Sequence, residues 1–331
     1  MAENAVKGLL VMAYGTPESL DDVRPYLTHI RHGNEPSHEA VKDLMERYEL
    51  IGGPSPLYQT TVDQMKALEG ALNAGDGSYR GYLGMKHWRP FVADAVQRMA
   101  ADGIERAVAI TLAPHYSTMS IAQYLNYVRQ GLNDAERPVE MLCIKSYHDE
   151  PLFIDALAEK LGEAMNAVPP TQRDGLPVIF TAHSLPEKIL KEDDPYREQL
   201  LETSRLVGER FDGLEWRFAF TSQGETKDRW LGPTLAEALD EVAAAGHDAV
   251  MCCTVGFVSE HLETLYDFDI EGAEDARQRG LAFYRAPALG TSPKYIAALA
   301  AVVRKAEAGQ HEAVVRLPEE ALQAPTYPTY S

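Results

Sequence analysis

The run SEHLETLYDFDIEGAED at residues 259–275 places three carboxylates, Glu263, Asp267 and Glu271, at every fourth position. With Ser259 as N-cap the run reads as the start of a helix, and fourfold spacing then stacks the acids along one face. Like charges so spaced repel by roughly 0.2–0.5 kcal/mol per pair. Two readings stand open: a solvated face that tolerates the repulsion, or a row beside which a cation sits. Leu262, Leu265 and Tyr266 form an apolar side close to the row, so part of it must lie near the protein body. Under the second reading the row guides a divalent cation inward or carries protons outward.

His183 follows PVIFTA and precedes SLPEK, which puts it at the carboxyl end of a buried strand. A histidine there can be a metal ligand, a general base or a satisfied structural residue, and its ordinary pKa lies close to working pH. Glu263 offers it a carboxylate partner. One imidazole and one carboxylate make an open site, suited to a metal that must be released rather than one held for structure.

A different cluster occupies the first half, in HIRHGNEP and ERYELIGGPSPL. Arg31, Arg47, Tyr48 and Ser55 are suited to carboxylates, because arginine gives fork-shaped charged hydrogen bonds while tyrosine and serine add neutral donors. The bland alternative is a helix end followed by an ordinary turn. GGPSP lacks the lysine and spacing of a phosphate loop. His87 in LGMKHWRP and His115 in APHYS fall at further strand ends, where each alone is more often structural. No G-x-S-x-G elbow marks a serine hydrolase and no G-x-G-x-x-G follows the first strand.

Eight short apolar runs must position these groups: VKGLLVMA, SYRGYLG, RAVAITLA, VEMLCIKS, LPVIFTA, WRFAFT, AVMCCTVGF and LAFYRAP. Amphipathic patterns lie between them, near 20–31, 37–50, 56–72, 90–101, 119–132, 151–167, 195–211, 233–245 and 292–308. Strands alternating with helices predict α/β architecture with parallel sheets covered on both faces. The halves are alike: VMAYGTPESL and IFTAHSLPEKI each run from an apolar strand through Tyr14 or His183 to a polar turn, Pro and Glu. Two Rossmann-like lobes of four strands each follow, spanning residues 1–150 and 151–310, with an active cleft between them and a flexible Pro/Tyr-rich tail over 311–331. Ligands in such folds bind beyond the carboxyl ends of the strands.

The net charge of −19 disfavours nonspecific nucleic-acid binding, which needs a basic surface, and any anionic substrate needs its own local cations. Of three cysteines, Cys143, Cys252 and Cys253, none has zinc-type spacing, and the adjacent pair would point to opposite faces of a strand. Sparse cysteine, an N-terminus without a signal-like apolar run and no membrane-length apolar stretch predict a soluble cytoplasmic protein.

The segments LLVMAYGTP, THIR, RYELIGGPSPL, GMKHWRPF, LAPHYS, TAHSLPEK, WLGP and VGFVSEHLETLYDFD together resemble the ferrochelatase family, most of all its soluble bacterial branch acting on coproporphyrin III. The matches run from about residue 9 to about residue 308. The resemblance implies two Rossmann-like domains and insertion of ferrous iron into a free-base porphyrin with loss of two protons. It implies that His183 and Glu263 are the catalytic and metal-contacting pair. Tyr14 would lie on the other porphyrin face, and Arg31, Arg47, Tyr48, Ser55 and Tyr124 would contact the porphyrin or its propionates. Asp267 and Glu271 would form an outer acidic site for a hydrated divalent cation such as magnesium. Trp230 would sit at the cleft edge, with His87 a further cleft residue. Iron is then a substrate, with no tightly bound cofactor. The C-terminus lacks the cysteines of members that carry an iron–sulfur cluster. A monomer is implied, without membrane insertion, meeting haem-pathway partner proteins only transiently. The lack of an apolar lip favours coproporphyrin over protoporphyrin IX. The rivals are a protoporphyrin enzyme, a sirohydrochlorin cobaltochelatase and a noncatalytic metal or haem carrier.

Overall fold

Each apolar run of the sequence becomes a strand in the computed structural model, which describes residues 6–75, 78–224 and 228–318. The chain divides into two units, one comprising residues up to 147 together with 295 onward, the other residues 148–294.

In the first unit the strands are β1 (Lys7–Ala13), β2 (Tyr79–Met85), β3 (Arg106–Thr111) and β4 (Glu140–Ile144). They lie parallel in the order β2-β1-β3-β4. The six residues Gly8 to Ala13 of β1 are all buried, as expected of a strand covered on both faces. Helices Val92–Ala101 and Ile121–Asp134 cover one face, where Val96, Met99, Leu125 and Val128 pack on Leu10 and Met12.

The second unit repeats the order with β5 (Val178–His183), β6 (Trp216–Thr221), β7 (Ala249–Thr254) and β8 (Ala282–Arg285), arranged β6-β5-β7-β8 and all parallel. Helix Leu235–Ala244 packs Leu239 and Val242 onto Ile179, Ala219 and Val250. Its start is fixed by a capping box in which Thr234 and Glu237 satisfy each other's backbone N–H groups. In both sheets the first strand is flanked by the second on one side and the third on the other. The chain thus reverses direction across the sheet beside β1 and beside β5. Ligands of open parallel sheets bind outside the carboxyl ends of the strands at such a point.

Three expectations need correction. The first sheet has a fifth strand, β9 (Val314–Leu317), antiparallel to β4 with Met141 opposite Leu317 and Ile144 opposite Val314. Residues 311–318 are therefore not tail; residues 319–331 lie outside those described. The boundary at residue 310 also moves. Helix Pro293–Glu307 belongs from Tyr295 onward to the first unit, where Glu307 pairs with Lys7 at 2.7 Å and Arg304 donates to the Ala71 carbonyl at 2.8 Å. Finally, Ser259 is not the N-cap position, because helical structure begins only at Leu262. Among the described residues no helix is long and apolar enough to cross a membrane.

Candidate functional site

The candidate residues fall into two groups, each built by one unit at the carboxyl ends of its strands. In the first unit Tyr14 follows the last residue of β1, and Lys86 and His87 follow β2. Their placement is fixed by backbone bonds from Lys86 N–H to the Ala13 carbonyl (2.9 Å) and from His87 N–H to the Tyr14 carbonyl (2.8 Å). Gly15 has φ +95°, and a Cβ there would stand 2.9 Å from the Trp88 nitrogen, so only glycine lets these two strand ends approach. Tyr14 is exposed, with its ring 4.6 Å from that of His87. The Lys86 ammonium lies 5.6 Å from the Tyr14 ring centre and 5.4 Å from that of buried Tyr124. Behind them the Nδ1 atoms of His29 and His87 are 3.1 Å apart, which requires one to donate and the other to accept.

This basic cluster is poor in charge. Burial brings Lys86 down to about 7. Burial, then the nearby Lys86, His29 and His32, hold His87 well below the ordinary histidine value, and burial with His32 and Lys86 also lowers His29. Burial raises the Tyr124 phenol well above its usual range.

Beside it, Thr16 Oγ1 lies 3.3 Å from the Tyr48 hydroxyl and accepts from Ser55 Oγ at 3.3 Å, so Tyr48 and Ser55 meet on a residue that sequence reasoning passed over. All three are buried. Arg31 ends helix Val23–Ile30 and is exposed, and among the described residues its guanidinium has no acceptor. Arg47 is exposed on helix His38–Leu50 immediately before Tyr48. His115 is buried in the loop after β3.

In the second unit His183 is the last residue of β5 and its Nδ1 lies 2.9 Å from Glu263 Oε2. The Tyr196 hydroxyl anchors the His183 carbonyl at 2.9 Å. Gly256, just beyond β7, permits the close passage of the next loop, since a Cβ there would fall 2.7 Å from that of Ala182. The segment bearing Trp230 is stitched to the turn after His183: Leu231 N–H donates to the Leu185 carbonyl (2.9 Å) and Ser184 Oγ donates to the Leu231 carbonyl (2.9 Å). Trp230 thereby borders the turn that His183 opens.

The acidic row lies on an unusual helix. Residues Thr264–Gly272 form a π-helix, in which a turn closes at the fifth residue rather than the fourth. Glu263 faces His183, and Asp267 accepts from the Ser222 hydroxyl. Glu271 is exposed and makes no side-chain hydrogen bond or ion pair among the described residues. Ser222, directly after β6, has φ +57°, an unusual backbone state for serine that aims its hydroxyl at Asp267. Phe268 is fully buried and anchors the segment in the core.

Burial opposes ionisation of Glu263, but the charge and hydrogen bond of His183, the charge of His261 and the Ser222 hydroxyl prevail and bring it to about 2. A carboxylate so held accepts only, so His183 must donate from Nδ1, and in the neutral ring Nε2 keeps its lone pair for a metal or a proton. His261, likewise unremarked from sequence, is lowered by burial against the pull of Glu263 and Glu260. Its signal was present in the spacing H-x-E within SEHLE. Among the described residues no three His, Cys, Asp or Glu side chains converge as a closed metal site. The arrangement can offer two open ligands and a base. Cys143, Cys252 and Cys253 are buried in β4 and β7, with Cys252 raised by burial to about 12.

The family model described as "Ferrochelatase" matches residues 6–307. A coproporphyrin III ferrochelatase of a Geobacillus species is 44% identical over 301 residues, covering 90% of this chain and 97% of that protein. One of Oceanobacillus iheyensis is 43% identical, covering 90% and 96%. A ferrochelatase of Deinococcus radiodurans is 40% identical, covering 90% and 95%. Among solved structures, SirB from Bacillus subtilis with Fe3+ superposes with a TM-score of 0.59 at 11% identity, covering 93% of this chain and 99% of that one. That likeness concerns the fold.

Proposed function

We infer from one premise, that the chain belongs to the ferrochelatase family, that its reaction is insertion of ferrous iron into coproporphyrin III to form coproheme. Fe2+ replaces the two inner N–H protons of the free-base ring, so two protons leave and no electrons move. The observation carrying this chemistry is the His183–Glu263 pair at 2.9 Å. Support for the tetracarboxylate substrate comes from relatives of that name at 42–44% identity.

A flat porphyrin hides its nitrogen lone pairs in the ring plane. Binding of remote carboxylates can offset the deformation that exposes them, and Arg31 and Arg47, with the Thr16–Tyr48–Ser55 hydroxyls, are suited to that task. When its ring is neutral, His183 can offer Nε2 to incoming iron or to a departing pyrrole proton, and ionised Glu263 stabilises the imidazolium that protonation forms. Iron is substrate, and the reading requires no tightly bound cofactor and no iron–sulfur cluster. It treats Asp267 and Glu271 as an outer magnesium seat, where the metal exchanges with the Ser222 hydroxyl. If Asp267→Asn leaves any magnesium stimulation intact, that seat is wrong. A cytoplasmic monomer that hands coproheme to a transient haem-pathway partner belongs to the same proposal.

Anaerobic ferrous iron insertion into coproporphyrin III and protoporphyrin IX, followed by absorbance, tests it. Multiple turnovers with preference for coproporphyrin support the reading. Preference for protoporphyrin would overturn the substrate, and stoichiometric binding without turnover would make the protein a carrier.

A further inference from the structure

Arg285, the last residue of β8, forks between Glu260, just before the segment that carries the acidic groups, and Asp269 inside it. Its Nε and Nη2 donate to Asp269 Oδ1 and Oδ2 at 2.6 and 2.8 Å. Its Nη1 donates to Glu260 Oε1 at 3.0 Å, and the same oxygen accepts from Ala288 N–H at 2.8 Å. Arg285 is only 10% exposed. Glu260 precedes the helical segment and Asp269 lies within its π-helical part, so one guanidinium spans His261, Glu263 and Asp267. The loop beyond Arg285 reinforces the tie, because Gly290 N–H donates to the Val258 carbonyl at 2.9 Å.

A π-turn is a rare register that a segment keeps only when its surroundings impose it. Phe268 fixes one side of the segment through the core, and the fork ties Asp269 to Glu260 before its start. A planar guanidinium can grip both oxygens of one carboxylate and reach a second; a lysine can match the charge but not that geometry. We propose that Arg285 is a positioning residue for metal insertion: by clamping Glu260 to Asp269 it sets the register that holds Glu263 on His183 and Asp267 on Ser222. The proposal rests on His183 and Glu263 being the insertion pair.

Charge and positioning are separable here. A substitution that keeps the cation leaves a divalent metal's binding unchanged by charge alone, whereas loss of register weakens it. Arg285→Lys, which keeps the charge, is the main variant, and Asp269→Asn, which keeps the shape, is the second in case any variant folds poorly. Each is assayed for melting temperature, for coproporphyrin Kd by fluorescence quenching, and for kcat and the KM of Fe2+. The expected result for Arg285→Lys is a melting temperature within about 4 °C of the parent, an unchanged porphyrin Kd, kcat lowered at least about tenfold, since small misplacement is expensive, and a raised KM for Fe2+. Asp269→Asn added to Arg285→Lys should cost less than about twofold more, as for groups acting through one contact. A kcat within about twofold of the parent, a lowered KM for Fe2+, or a fall in kcat matched by porphyrin affinity would overturn the assignment. A parent protein with no insertion activity would instead overturn the underlying function.

Discussion

The two sheets are near copies with opposite electrostatic character. Both run second-first-third-fourth, and in both the first strand delivers its ring residue to the turn where chain direction reverses: Tyr14 just after β1, His183 at the end of β5. Beside Tyr14 the neighbouring strand contributes Lys86 and His87; beside His183 the equivalent strand end contributes Ser222, which binds an aspartate. The first unit adds Arg31 and Arg47, the second Glu260, Glu263, Asp267 and Asp269. One scaffold thus carries arginine, lysine and hydroxyl groups, suited to anions, in one unit and carboxylates, suited to cations, in the other. Strand order fixes where side chains stand, and only their types decide what they bind.

The largest effect expected from this division is in the second unit. Glu263→Gln should lower kcat by about 10²–10⁴-fold, the usual contribution of an acid–base group, with porphyrin Kd unchanged. Steady-state insertion and fluorescence titration read the two quantities, and an equal loss in both would dissolve the division of labour. In the first unit Arg31→Ala should show the converse: about 10- to 100-fold weaker porphyrin binding, as for a lost charge-assisted hydrogen bond, with kcat at saturation preserved. An unchanged Kd would remove Arg31 from carboxylate recognition.

Two smaller effects probe the scaffold. Gly256→Ala would press a methyl group onto Ala182 beside His183 and should destabilise the fold by about 1–3 kcal/mol, measured by urea unfolding. A neutral result would show that the strand end yields easily. Lys86 gives the smallest effect and the one with a sign in pH. Buried, it titrates at about 7, whereas in the unfolded chain it keeps a proton up to the ordinary lysine value. Across that interval the unfolded chain binds the extra proton, so stability rises with pH from about 7, by on the order of 1 kcal/mol per pH unit. In Lys86→Met that slope should vanish between pH 7 and 9. Parallel slopes in parent and variant would mean that Lys86 stays charged in the fold.

The strands were legible because sheets covered on both faces demand continuous apolar runs, as in GLLVMA and VIFTA. The helices were legible because one face of each is buried. β9 was not, since VVRL is four residues long and gains meaning only from the edge of β4 that it meets. Nor does an amphipathic pattern disclose which sheet it will cover, so helix Pro293–Glu307 was assigned to the wrong half. The facing of His183 and Glu263 followed from motif resemblance, and the structure adds the distance. Fourfold spacing predicted a helix for the acidic row, but periodicity cannot distinguish an α-turn from the π-turn found there. Lys86 was overlooked because a lysine in sequence reads as surface. Thr16 and Ser222 were overlooked because a hydroxyl carries no signal until its partner is in place.

The return of the chain to its first unit has a consequence for biosynthesis. The chain leaves that unit after Tyr147 and comes back at Tyr295, and the hydroxyls of these two buried tyrosines lie 3.1 Å apart, closing the entry and exit against each other. On the ribosome, β4 is finished long before β9 exists. At typical elongation rates its open edge waits roughly 10–30 seconds for a partner, and an unpaired strand edge is a template for other chains. The first unit should therefore stay protease-sensitive in nascent chains stalled near residue 290 and become resistant only once β9 has emerged. Early resistance would show that four strands close the unit on their own.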